Sequence, residues 1–277
     1  MSPARTEPAL ILNLAAYHFC EIPDPGLVRD RLLALGESLG VRGTILVTPE
    51  GLNAFLAGPE ADCRSMLTAL RAVPGFEALE AKESWSASVP FKRFKVKLKQ
   101  EIIRMDHPTI RPAQGRAPAV DAETLARWLD QGRDDSGRPV VMLDTRNDFE
   151  VEIGAFENAI DWRIQRFTEF PAAVQTHAQS LEGKTVVSYC TGGIRCEKAA
   201  IYMHTLGLTQ VLQLEGGILR YFEETDGRHF RGSCFVFDER RALDPDLAPS
   251  PTARASASVP TASSSEDPAP EAQHCSQ

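Results

Sequence analysis

Six consecutive residues concentrate the chemistry available to this chain: Cys190-Thr191-Gly192-Gly193-Ile194-Arg195. They follow an apolar run, Thr185 to Tyr189, that reads as a buried strand. They precede a segment from Cys196 to Met203 that reads as the start of a helix. Glycines let backbone N–H groups turn inward without a Cβ clash. Those N–H groups, the helix N-terminus and Arg195 form an anion-stabilising bowl. A cysteine facing such a bowl has a lowered pKa and is a thiolate at neutral pH. A lone cysteine at a strand end is also commonly a small buried hydrophobe. The glycine pair, the arginine and the strand-to-helix context together favour the nucleophile.

Neighbouring residues suit supporting roles. Arg195 can direct its fork at a bound anion or back at a carboxylate such as Glu150. Asp144 ends the apolar run Val140 to Asp144 and is followed by Arg146; both fit bracing of the loop better than reaction. Cys196 can resolve an oxidised or persulfidated Cys190 as a disulfide, or pack inward. A helix starting there carries it away from the loop mouth, which favours packing.

Two units must hold these groups in place. Residues 120–232 alternate strand-like and helix-like segments, which predicts an α/β unit with a largely parallel sheet and helices on both faces. Ligands in such sheets bind beyond the carboxyl ends of the strands, where Asp144 and Cys190 both fall. Residues 1–105 read as strand, helix, hairpin, helix, strand, the βαββαβ order of a ferredoxin-like α+β domain, with its last strand around Phe76 to Ser84. Residues 106–119, with several prolines, read as a linker, and 233–243 as an extension. Residues 244–277, rich in Pro, Ser and Ala, have little to bury and predict a disordered tail.

Composition narrows the class. Apolar and charged fractions of 43% and 25% are ordinary for a globular chain of 277 residues. No apolar stretch approaches a membrane span, and the first residues lack the pattern of a signal peptide. Six scattered cysteines without CxxC pairs argue for a reducing cytosol, and no clustered ligands announce a metal. No glycine-rich nucleotide fingerprint follows a strand. The net charge of −8 disfavours nucleic acid, yet from Ala242 onward five acids face one arginine, so the tail carries −4 of it. A local basic patch is therefore open. The segment Phe91 to Lys99 alternates apolar residues with Lys92, Arg93, Lys95, Lys97 and Lys99. It is either a solvated edge strand guarded by lysines or a phosphate-contacting surface.

The string Leu143-Asp144-Thr145-Arg146 with Glu150, Gly154-Ala155, the Cys190 loop and Leu214-Glu215-Gly216-Gly217 resembles a rhodanese domain. The wider run Tyr189 to Ala199, with Glu50-Gly51-Leu52-Asn53-Ala54, the Phe91–Ile103 strand and Gly232 to Arg240, resembles the tRNA uridine hydroxylases. These carry a rhodanese domain behind a ferredoxin-like one, and the resemblance covers about residues 9–241. It implies hydroxylation at C5 of uridine 34 in the tRNA anticodon loop, with molecular oxygen as co-substrate and Cys190 as catalytic cysteine. The cysteine-rich C-terminal segment of many long members is missing, so no cluster function is carried over. A sulfurtransferase forming a Cys190 persulfide, and a non-catalytic binding module, are the alternatives.

Overall fold

The computed structural model describes residues 10–251. The chain opens with β1 (Ile11–Phe19), α1 (Pro25–Ser38), β2 (Arg42–Thr48), β3 (Gly51–Gly58), α2 (Glu60–Arg71), β4 (Ala81–Ser86) and β5 (Phe94–Leu98). Asp24 caps α1 by accepting the Leu27 N–H at 2.9 Å, with Pro25 pre-set for the first turn. The sheet order is β4-β1-β3-β2-β5. The first four strands are antiparallel and have the ferredoxin-like arrangement. β5 is added at the edge, parallel to β2.

Period-two alternation divides this sheet into two faces. Leu12, Leu14, Ile45, Val47, Leu52, Leu56 and the β5 residues Phe94 and Val96 pack against α1 and α2. Asn13, Tyr17, Leu46, Asn53, Phe55 and Lys82 lie on the opposite, helix-free face. The register places Lys95 beside Thr44 and Lys97 beside Leu46 on that same face. The fourth strand begins later than the expected Phe76. Residues 73–79 form successive turns (Phe76 N–H to Val73 O, Leu79 N–H to Phe76 O), with Phe76 and Leu79 plugging the core.

The second unit runs β6 (Ala119–Val120), α3 (Ala122–Gln131), β7 (Val140–Asp144), α4 (Asp148–Val151), β8 (Gly154–Phe156), α5 (Phe170–His177), β9 (Thr185–Tyr189), α6 (Ile194–Thr205), β10 (Val211–Leu214) and α7 (Gly217–Thr225). Its four-stranded sheet, β6-β10-β9-β7, is wholly parallel. Leu125, Ile218 and Phe222 cover one face of it; Phe170, Ala199 and Tyr202 cover the other. The sheet is thus buried on both sides, as parallel sheets are. Met105, Ile110 and Ala117, at the join between the units, are buried in the second of these cores.

Short strands close the fold: β11 (Phe230–Gly232) pairs with β8, and β12 (Cys234–Phe235) with β13 (Ala242–Leu243). The first residues of the expected tail, from Asp244, are instead folded onto the short strands. Residues 244–250 turn back, Leu247 N–H to Asp244 O and Ser250 N–H to Ala242 O, with Ser250 buried. The rest of that tail, 252–277, lies outside the described residues, with His274 and Cys275. Among the described residues no helix is long and apolar enough to cross a membrane.

Candidate active site

Strand β9 ends at Tyr189 and delivers Cys190 to the carboxyl edge of the parallel sheet. The helix that follows begins at Ile194, two residues before the expected start, so Arg195 and Cys196 both belong to its first turn. Gly193 makes this possible. Its φ of +104° belongs to the left-handed region, and a Cβ there would stand 2.7 Å from the Tyr17 hydroxyl. The Gly193 N–H donates to Cys190 Sγ at 3.2 Å.

Burial alone pushes the Cys190 thiol up. The Cys196 thiol beside it, the Arg195 charge and the N–H groups of Cys196 and Arg195 outweigh that burial and bring Cys190 down to about 5. Cys196 moves the other way: burial and the neighbouring Cys190 push it well above an ordinary thiol. Cys196 stays protonated, its thiol also meeting Gly193 O at 3.0 Å. The early helix start therefore tucks Cys196 beneath the loop, where it packs inward against Cys190, rather than carrying it away.

This pair carries a prediction. The alkylation rate of Cys190 by iodoacetamide, followed by peptide mass spectrometry, stays flat at neutral pH. It halves near pH 5 as protonation consumes the thiolate. Cys196→Ala removes a hydrogen bond to the thiolate, so its midpoint moves to higher pH. A wild-type midpoint near that of a free thiol, roughly 8.5, contradicts the geometry.

Arg195 turns to Glu150, not to an open anion site. Its two terminal nitrogens donate to the carboxylate at 2.6 and 2.7 Å, and both side chains are buried. Glu150 also accepts the Asn147 N–H at 3.1 Å, tying α4 to the loop. Asp144 and Arg146 form a second buried bidentate pair, and Arg146 reaches Gly154 O at 2.7 Å. Thr145 donates N–H and hydroxyl to Tyr189 O, so this pair braces the strand end just ahead of Cys190. Thr191 donates to Phe235 O at 3.3 Å, while Gly192 and Ile194 face a cavity.

That cavity, about 850 Å³, lies between the helix-free face of the first sheet and the Cys190 loop. Tyr17, Asn53, Phe55 and Lys82 form one wall; the loop and Phe237 form the other. Cys190 borders it but exposes none of its surface, so contact with a ligand requires the loop to open. The first domain touches the loop directly. Lys82 donates to Gly192 O at 2.9 Å, and Tyr17 donates to Glu197 at 3.2 Å. Burial, then the Glu197 and Cys190 charges, raise the Tyr17 pKa well above normal, so the phenol stays protonated. Lys198 on α6, itself buried, pairs with Glu50 at 2.8 Å and Glu101 at 2.6 Å across the same junction.

Sequence pattern does not by itself point to Tyr17, Lys82, Glu197 or Phe237 as site residues. For Tyr17 part of the signal was present: it alternates with the core residues Leu14 and Ala16 and so had to face away from the helices. Lys92, Arg93, Lys95, Lys97 and Lys99 do not line the cavity. Lys95 and Lys97 extend its sheet wall outward, and Lys92 stands 3.9 Å from Glu239. Among the described residues no group of three His, Cys, Asp or Glu side chains is placed to hold a metal ion.

The sequence matches known families along both units. Residues 11–102 match the UPF0176 acylphosphatase like domain, and residues 121–224 the rhodanese-like domain. The tRNA uridine(34) hydroxylase of Bordetella avium is 62% identical over 239 residues, 86% of this chain and 99% of that protein. That of Variovorax paradoxus is 62% identical, covering 86% and 90%. That of Delftia acidovorans is 60% identical, covering 88% and 92%. Identity at this level runs over 86% or more of the chain, and the chain belongs to the tRNA uridine(34) hydroxylase family.

Proposed function

We propose that this protein hydroxylates C5 of the uridine at position 34 of tRNA, in the cytoplasm, with molecular oxygen as co-substrate and Cys190 as the nucleophile. The observation that carries the chemistry is a cysteine held near a pKa of 5 at the wall of an 850 Å³ cavity. A uracil fits a volume of that order, and an anticodon-loop base can be presented unstacked.

C5 of uracil is a weak nucleophile. Addition of the Cys190 thiolate to C6 moves the C5–C6 electron pair toward C5 and O4, leaving an enolate whose C5 attacks oxygen. Loss of the thiolate from C6 and of the C5 proton restores the aromatic ring. One oxygen atom remains on C5 and the other leaves as water. The two electrons and two protons come from a pair of external thiols, which end as a disulfide. The loop N–H groups hold the thiolate before attack and receive it again on expulsion. Product formed under ¹⁸O₂ gains one heavy oxygen on this account. Label arriving from H₂¹⁸O instead removes oxygen as co-substrate.

The anticodon arm has a natural path along the helix-free face of the first sheet, past Lys97 and Lys95 at its edge. Replacing both with alanine removes two phosphate contacts. The slope of log affinity against log salt then falls by roughly 1.5, at about 0.7 to 0.9 per contact. An unchanged slope returns β5 to the role of a solvated edge.

A further inference from the structure

Phe237 is an aromatic side chain left open inside the active-site cavity. It is 42% exposed, although it borders the same space as Cys190, Ile194 and Arg195. Single exposed apolar side chains are common on a protein surface, but Phe237 lines the cavity beside the Cys190 loop and packs against Phe235. Its ring and that of Phe235 form a T-shaped pair at 5.0 Å and 86°, and Phe235 forms another with Phe149 at 5.3 Å. Phe235 O accepts the Thr191 hydroxyl from the catalytic loop. Val236 N–H donates to Arg241 O at 2.8 Å, and Cys234–Phe235 pairs with Ala242–Leu243. The next residue, Asp238, binds Arg240, whose guanidinium reaches Ser84 of the first domain at 2.8 Å. The Arg195 guanidinium stands over one face of the Phe237 ring, 6.0 Å from its centre, which leaves the other face for a ligand.

A ring braced by its own hairpin, pinned to the loop that carries the nucleophile and open toward the cavity has the geometry of a stacking platform. We propose that Phe237 stacks against the target pyrimidine ring and so holds its C5–C6 edge toward Cys190. This rests on the reading that the site takes a uridine. A base drawn out of the anticodon loop loses its neighbours' stacking, and a phenyl face replaces part of it. The platform discriminates little among bases, because every base has a π face.

The test uses the full chain with an anticodon stem–loop RNA. Phe237→Ala and Phe237→Leu are expected to lower kcat/KM by about 5- to 150-fold, the range that loss of one base–aromatic stack produces. Most of the loss falls in KM. Phe237→Tyr and Phe237→Trp retain activity within about threefold of wild type, because the π face rather than apolar bulk is required. A second readout needs no turnover: a stem–loop with pyrrolo-cytosine at position 34 is quenched on binding wild type and Phe237→Trp, but not Phe237→Leu. Leucine performing as well as tyrosine in both assays overturns the proposal. Wild type that quenches the probe yet never hydroxylates uridine instead counts against the proposed reaction and leaves the platform supported.

Discussion

Cys190→Ser is expected to lower the hydroxylation rate on tRNA by at least about 1,000-fold while leaving tRNA affinity within about twofold. The asymmetry follows from what the thiol touches. Its contacts are the Gly193 N–H, the Arg195 charge and Cys196, all within the loop, and its surface is fully buried. It contributes nothing to the sheet face or to the basic edge proposed as the RNA path. Loss of a covalent nucleophile removes an interaction made on the way to the transition state, so kcat falls rather than affinity. Serine preserves the size of the group, but its hydroxyl is not ionised at neutral pH by the same loop. Single-turnover rates beside filter-binding affinities check this. A serine variant with a tenth or more of wild-type activity excludes addition of Cys190 to the base.

Glu150→Ala is expected to be among the most destabilising single changes in the second domain. It leaves the Arg195 guanidinium buried, charged and without its two hydrogen bonds of 2.6 and 2.7 Å. Breaking one side of a buried pair costs about 3–5 kcal/mol. For a chain of this size that corresponds to a fall of roughly 6–20 °C in Tm. The double change Glu150→Leu with Arg195→Met removes both charges and is expected to lose less stability than Glu150→Ala. It nevertheless raises the Cys190 pKa, because the Arg195 charge is among the causes holding it down. Stability and thiol reactivity therefore separate in the double variant. Thermal unfolding with alkylation at pH 6 reads both. A Glu150→Ala protein within 2 °C of wild type, roughly 1 kcal/mol or less, shows that the pair does not hold the loop.

Much of this architecture was legible in the residues. The order of apolar runs was enough for the βαββαβ order, and the bounds of Val140–Asp144 and Thr185–Tyr189 agree with the strands observed. The loop was legible because its parts are contiguous. What escaped was whatever depends on contact between distant segments. Periodicity says which face of a strand Tyr17 occupies, but not that the loop of another domain lies against it. Nothing near Lys82 announces that its ammonium reaches Gly192 O. The start of α6 was misplaced for a local reason: the left-handed φ of Gly193 turns the chain into helix before Arg195, and the sequence does not specify φ. Phe76 was assigned to a strand because a turn that buries an apolar plug looks like a short strand.

The most direct measurement is the nucleoside content, by mass spectrometry, of tRNA from a strain lacking this protein and carrying either the wild-type or the Cys190→Ala gene. The account predicts that 5-hydroxyuridine-type nucleosides return with wild type and not with Cys190→Ala, at equal protein levels. Equal restoration by both genes, or by neither, contradicts a hydroxylase centred on Cys190.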